Sequence, residues 1–196
     1  MPEILEAALR VFSEHGYAGA SLKRIADAAG LKSPQLLAWY FPSKRELYES
    51  TLARYTSGVG EAITDVNGDD AEPQEHLTRL ARNIVDHFSN PRVAMALRLL
   101  AQAGPSKRRR VDSELWPPQV FERLERYLSQ EVERGRLVPH DSRRAAYAFL
   151  ALIWSQAMAR LFPGLSMPKG EEPLSIEATV QLFLRGLEAY AETSKS

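Results

Sequence analysis

The side chains best suited to chemistry in this 196-residue chain lie close together, between positions 21 and 45. Lys23, Arg24, Lys32, Lys44 and Arg45 place five cations there against one carboxylate, Asp27, whereas the whole chain carries 25 basic and 25 acidic residues. A local basic excess on a neutral chain suits a phosphate backbone, whose counterions such cations release. Among them stand Gln35, whose amide can pair bidentately with adenine, and the aromatics Trp39 and Tyr40. The competing reading is a solvated charge cluster. Ser43 and Glu46 weigh against it, because they form a capping box that puts Lys44 and Arg45 at a helix N-terminus. The macrodipole disfavours cations at that end, so local stability leaves them unexplained, while a phosphate there meets free backbone N–H groups and Lys44 together.

The elements that position these groups follow from helix punctuation. Ser21 is a good N-cap; Leu22, Ile25, Ala26 and Ala29 recur at helical spacing; Gly30 stands where a left-handed residue ends a helix. This predicts a helix over 22–29. Ser33 and Pro34, a cap followed by a proline at the first helical position, predict a second short helix from 34 to about Tyr40. Two helices on so short a turn cross steeply. Ala26 permits close approach, Leu37 and Phe41 face the core, and Gln35, Ala38 and Trp39 point outward, the pattern of a helix-turn-helix.

The segment ILEAALRVFSEHGYAGASLKRIADAAG followed by WYFPSKREL resembles the tetracycline-repressor-like (TetR) family of bacterial transcription regulators. The resemblance covers about the first 50 residues. It implies an all-α homodimer: a three-helix helix-turn-helix DNA-binding domain, 1–48, plus a larger helical domain, 49–196, that binds a small effector and dimerises. The implied DNA-binding residues are Ser21, Lys23, Lys32, Ser33, Gln35, Ala38, Trp39, Tyr40 and Lys44. Anchored on Phe41, this chain has Ala38 where the family usually has tyrosine, and its run from Gly30 to Phe41 is one residue longer than common. Trp39 and Tyr40 are the candidates to replace the missing phosphate contact. These departures leave one alternative open, a protein of the same fold that binds a ligand or partner without specific DNA binding.

Along the rest of the chain, Pro2 starts a helix whose Ile4, Leu5, Ala8, Leu9, Val11 and Phe12 form an apolar stripe ending at Gly16. The helix from Lys44 runs to about Ile63 and dissolves in VNGDD. It links the two domains and can act as a lever between them. Pro73 opens an amphipathic helix that Asn90-Pro91 breaks. The run VAMALRLLAQA, 93–103, is apolar nearly all round and reads as a buried central helix, stopped by Gly104-Pro105. Lys107 to Arg110 reads as a solvated loop, set against a second DNA contact. A helix from Trp116-Pro117-Pro118 to Gly135 turns Val120, Phe121, Leu124, Tyr127, Leu128 and Val132 inward and its charges outward. Walls for an effector pocket are Phe88, Met95, Leu99, Trp116, Phe121, Trp154 and Met158, set against plain core filling. The last two helices, 145–162 and 175–192, carry apolar surface on almost every side, so they are expected to bury one part on a second copy of the chain, through Ala151, Ser155, Val180, Phe183 and Leu187.

Composition narrows the function classes. The absence of cysteine excludes disulfides, zinc fingers and thiolate nucleophiles. His15, His76, His87 and His140 lack ligand spacing, so neither a metal nor a cofactor is expected. No phosphate loop, nucleophile elbow or H-E-x-x-H motif is present, and no catalytic residue is assigned; a helical enzyme is the weakest reading. With no signal-peptide pattern and no apolar run of membrane-spanning length, a cytoplasmic protein without a membrane partner is expected.

Overall fold

The computed structural model describes residues 1–56, 70–101, 118–162 and 172–193, and among these the chain forms helices and no strands. Two compact units are present, Met1–Gly58 with Asn90–Leu115 and Val59–Ser89 with Trp116–Ser196. Residues 66–69 of the VNGDD break, the Gly104-Pro105 stop, the basic run Lys107 to Arg110 and Trp116 lie outside the described residues.

In the first unit α1 (Pro2–Gly19) buries Ile4, Leu5, Ala8, Leu9, Val11 and Phe12. Each large side chain so buried stabilises the fold by about 1.5–3 kcal/mol. The stripe ends at Gly16 as expected, but the chain does not leave the helix for good there. Gly16 adopts φ 67°, ψ 171°, and a further helical turn runs to Gly19. Only glycine takes that angle without strain. The kink sends Tyr17 back over the core, stacked on Phe12 at 6.1 Å and edge-on to Tyr48 at 5.0 Å. Three helices follow: α2 (Leu22–Ala28), α3 (Pro34–Tyr40) and α4 (Lys44–Thr56). α1 packs on α2 and α4, and α2 on α3.

A fifth helix packs into this unit. α6 (Pro91–Ala101), which follows α5 (Pro73–Ser89) in the chain, lies against α1 and α4. The buried Tyr48 hydroxyl donates to the Leu99 carbonyl at 3.2 Å, and Arg92 pairs with Glu6 at 2.7 Å. The Arg92 guanidinium holds the Glu6 carboxyl below its ordinary range, and burial pushes the Tyr48 hydroxyl pKa up.

The second unit contains α5, α7 (Pro118–Glu133), α8 (Ser142–Leu161) and α9 (Ile176–Thr193). α8 packs against α5, α7 and α9, and α9 also packs against α5. Leu77, Leu80, Ala81, Ile84, Val85 and Phe88 fill the inner face of α5, while Val120, Leu124, Tyr127 and Leu128 do so on α7. The expectation that the charges of α7 all face outward is corrected at Glu131, which is fully buried. Its carboxylate accepts from Arg134 and Arg136, both at 2.9 Å. Arg136 also donates to the carbonyls of Asp70 and Ala71, so the end of α7 is tied to the segment leading into α5. The sharp turn at Gly135, φ 73°, brings Arg136 back to reach Glu131. Between α8 and α9 the buried Gln156 donates to Thr179 Oγ1 at 2.9 Å.

Candidate nucleic-acid interface

Capping sets the entry to both motif helices, but not in the same way. Ser21 Oγ accepts from the Arg24 backbone N–H at 3.2 Å, which fixes the start of α2. Ser33 occupies the N-cap of α3 yet makes no side-chain cap bond. There the fixed φ of Pro34 sets the entry instead. The turn closes with Gly30 at φ 69° and with Leu31 N–H donating to the Ala26 carbonyl at 2.9 Å. Ile25, Ala26, Leu37 and Phe41 are buried beneath the crossing.

What remains outside matches the expected face. Gln35, Ala38, Trp39 and Tyr40 are all exposed, Trp39 to 87%. Leu36, also exposed, joins them. Lys23 and Lys32 are exposed, and among the described residues neither has an acceptor.

The other cations behave differently from the expectation. Lys44 folds its ammonium back onto the Ala18 carbonyl at 3.3 Å and over the Tyr17 ring at 4.7 Å. Arg24 donates to the Gly19 carbonyl at 3.3 Å, and Arg10 to the Ala28 carbonyl at 3.4 Å. These are favourable cation contacts at helix C-termini. Arg45 pairs with Glu49 at 2.8 Å, a hydrogen bond that raises its pKa. The reading that local stability leaves Lys44 and Arg45 unexplained is therefore corrected: a long lysine stem starting at one helix N-terminus reaches the C-terminus of another. The capping box is present in its first half, Glu46 N–H donating to Ser43 Oγ at 3.1 Å. Lys44, half-buried, still lies beside Ser43 at the head of α4.

Residues 4–51 match the family model for the N-terminal domain of bacterial regulatory proteins of the tetR family, and residues 75–191 match the C-terminal domain of AefR-like transcriptional repressors. The chain belongs to the TetR family. As a TetR-family protein it is a DNA-binding transcriptional regulator, of a family that binds operator DNA as homodimers and responds to small effectors. The repressor NicS of Pseudomonas putida is 31% identical over 85 residues, 43% of this chain and 40% of that protein. The activator FasR of Mycolicibacterium smegmatis is 28% identical over 190 residues, covering 94% of this chain and 81% of the relative. Among solved structures, the regulator FadR of Bacillus subtilis in complex with stearoyl-CoA shares the fold, with a TM-score of 0.67 at 19% identity, covering 95% of this chain and 96% of that one. No helix of the described residues is long and apolar enough to cross a membrane.

The remaining expected site residues of this TetR-family chain fall in both units. Met95 and Leu99 lie on α6 in the first unit, Leu99 buried. Phe88, Phe121, Trp154 and Met158 lie in the second, where Phe88 meets Trp154 edge-on at 5.1 Å and Phe121 meets Tyr147 at 4.4 Å. Of the expected interface residues, Val180 and Phe183 point into their own unit, Phe183 edge-on to Phe149 at 5.2 Å. Ala151 and Ser155 are exposed, and Leu187 lines a cleft of about 730 Å³ beside Pro73, Val138 and Leu184. Leu182 and Tyr190, which belong to the wide apolar surface expected of α9 but not to the interface residues named for it, are exposed, as is Tyr147 on α8; His76, given no role from sequence, is buried and stacked on Tyr127 at 4.2 Å. Their spacing, 182 with 190 and 147 with 151 and 155, was the available signal.

Proposed function

We propose that this regulator is a repressor that leaves its operator when a small, largely apolar molecule binds its C-terminal part. The outward face of α3, with Lys23 and Lys32 uncommitted on the residues before it, carries the DNA-binding half of this reading. Repression is supported by the likeness to the repressor NicS and by the repressor family matched over residues 75–191. Aromatic and thioether side chains on α5, α7 and α8 suit an apolar effector. The long acyl thioester held by FadR, apolar in its acyl chain though charged in its CoA part, is the first class to test. Residues 1–48 act as the DNA-binding domain and 49–196 as the effector and dimerisation domain, with Ala151 and Ser155 on the copy-to-copy face.

Two recognition helices of a dimer enter successive major grooves only when spaced by roughly 34–36 Å. A ligand that prefers a conformation with another spacing weakens DNA binding by that preference, and DNA weakens ligand binding by the same factor. The experiment is a mobility-shift titration on the region upstream of the protein's own operon, with and without stearoyl-CoA. Specific binding at about 10 nM or tighter is expected, lost on adding the ligand. Lys23→Ala and Lys32→Ala should each weaken binding to all sequences and lower the salt slope by about one unit. An acyl thioester that raises the melting temperature but leaves operator affinity unchanged would overturn the switch. Equal binding to operator and random duplex would overturn the regulator reading itself.

A further inference from the structure

The surface of α3 is unusual in what it offers to base edges. At about 100° per residue, a helix that turns Leu37 and Phe41 to the core points Trp39 directly away, with Gln35 and Leu36 within about 60° on either side. Exposure follows the same geometry: Leu37 is 0% and Phe41 5% exposed, against 44% for Leu36 and 87% for Trp39. The whole helix, PQLLAWY, contains no charged side chain. An indole held almost entirely in water contributes little to the core, and with Leu36 and Tyr40 exposed beside it the helix leaves an apolar face open to a partner.

That composition selects among bases. The commonest guanine contact is a bidentate arginine or lysine on O6 and N7, and α3 supplies neither. Lys23 stands on α2, the helix that crosses the backbone in this motif, and Lys32 in the turn, so their ammonium groups serve phosphates. Facing the groove, α3 presents one amide, Gln35, surrounded by carbon from Leu36, Ala38 and Trp39. The apolar group on a major-groove base edge is the C5-methyl of thymine. We propose that the recognition helix reads thymine methyl groups, with Trp39 the specificity-determining residue and Gln35 pairing an adjacent adenine. This rests on the DNA-binding reading above and names the class of sequence it takes, half-sites rich in A·T pairs under α3. A protein partner pressing on Leu36, Trp39 and Tyr40 is the rival occupant. The cations around the patch and its place in a helix-turn-helix favour duplex DNA.

Uracil tests this cleanly, since it keeps every hydrogen-bonding group of thymine and lacks only the methyl. Full-length protein would be used to enrich sites from a random-sequence duplex library. Each thymidine of the enriched site is then replaced in turn by deoxyuridine. The expected result is a thymine-containing half-site in which uracil at one or two positions weakens binding about fourfold each, the effect of one buried methyl group. Trp39→Ala should bind the thymine and uracil sites alike. Trp39→Phe, which keeps an aromatic ring without the N–H, should retain the discrimination. Because Trp39 is so exposed, the melting temperature of both variants should match that of the parent. Equal binding to thymine and uracil sites would overturn the proposal, as would a Trp39→Ala protein that still discriminates. Unchanged affinity of Trp39→Ala for every duplex would overturn it in favour of a protein partner. Failure to enrich any sequence would instead overturn the underlying reading of sequence-specific binding.

Discussion

The helix-turn-helix region and the core of the second unit are held by polar ties of different kinds. In the first, Arg10, Arg24 and Lys44 sit at the surface on carbonyls that end α1 and α2, beside the serine caps of α2 and α4. In the second, Gln156 with Thr179 and Glu131 with its two arginines lie within or at the edge of the core. Surface ties are worth little each and exchange readily with water or with a phosphate. Buried ones are costly to break, because a desolvated group is left without its partner. The contrast assigns adjustability to the ties around the helix-turn-helix and rigidity to those in the core of the second unit.

The largest expected effect separates inward from outward positions in the second unit. Phe183→Asp puts an unpaired charge against Phe149 and should cost about 4 kcal/mol or more, read as a lowered urea midpoint with helix content lost early. Ala151→Asp, on an exposed position of α8, should keep the helix content and sediment as a monomer. If Phe183→Asp stays folded and merely dissociates, the distinction drawn between the two faces is wrong. Next comes Glu131→Gln. It removes the buried charge from Arg134 and Arg136 and should cost about 1–3 kcal/mol, with protease cutting near residues 70–72 accelerated as the clasp on Asp70 and Ala71 loosens.

A smaller effect compares the two motif caps. Ser21→Ala should lose about 1 kcal/mol, the value of an N-cap bond. Ser33→Ala should stay within about 0.5 kcal/mol, since its hydroxyl makes no such bond. Equal losses at the two sites, measured by chemical denaturation, would mean that Ser33 caps after all.

These pairs also mark what could be read without coordinates. The face of α3 was legible because one turn of it alternates sharply between Leu37 and Phe41 on one side and Gln35 and Trp39 on the other. Helices α8 and α9 lack that contrast. With apolar side chains on nearly all sides, only neighbours decide that Val180 and Phe183 turn inward while Leu182 and Tyr190 stay out. Fold-back was illegible for the same reason. Nothing local says that Lys44 reaches Ala18, twenty-six residues earlier, because the reach depends on how Gly16 bends α1. Buried Glu131 defeats any rule that sends charges outward, since its partner Arg136 arrives only through the turn at Gly135.

The smallest effect concerns two exposed ion pairs, one in each unit. Glu6 with Arg92 joins α1 to α6, and Glu177 with Arg82 joins α9 to α5. In both, the arginine hydrogen bond holds the carboxyl pKa below its ordinary value. A carboxyl whose folded pKa is depressed adds stability above its unfolded pKa, and loses it as the pH falls through the folded value. Each pair should therefore support its unit at neutral pH and cease to do so in acid. Because all four groups are exposed, the contribution is modest and screened by salt. Glu6→Gln and Glu177→Gln should each lower the urea midpoint slightly at pH 7 and low ionic strength. The difference from the parent should shrink below about pH 4, and it should also shrink at about 1 M salt, where the screening length falls to about 3 Å. The comparison between units sharpens here. With similar geometry on both sides, the two variants should respond to acid and salt alike, unlike the buried Glu131→Gln, whose loss should survive high salt. A Glu131→Gln deficit that vanishes in salt together with the other two would erase the distinction between surface and buried ties.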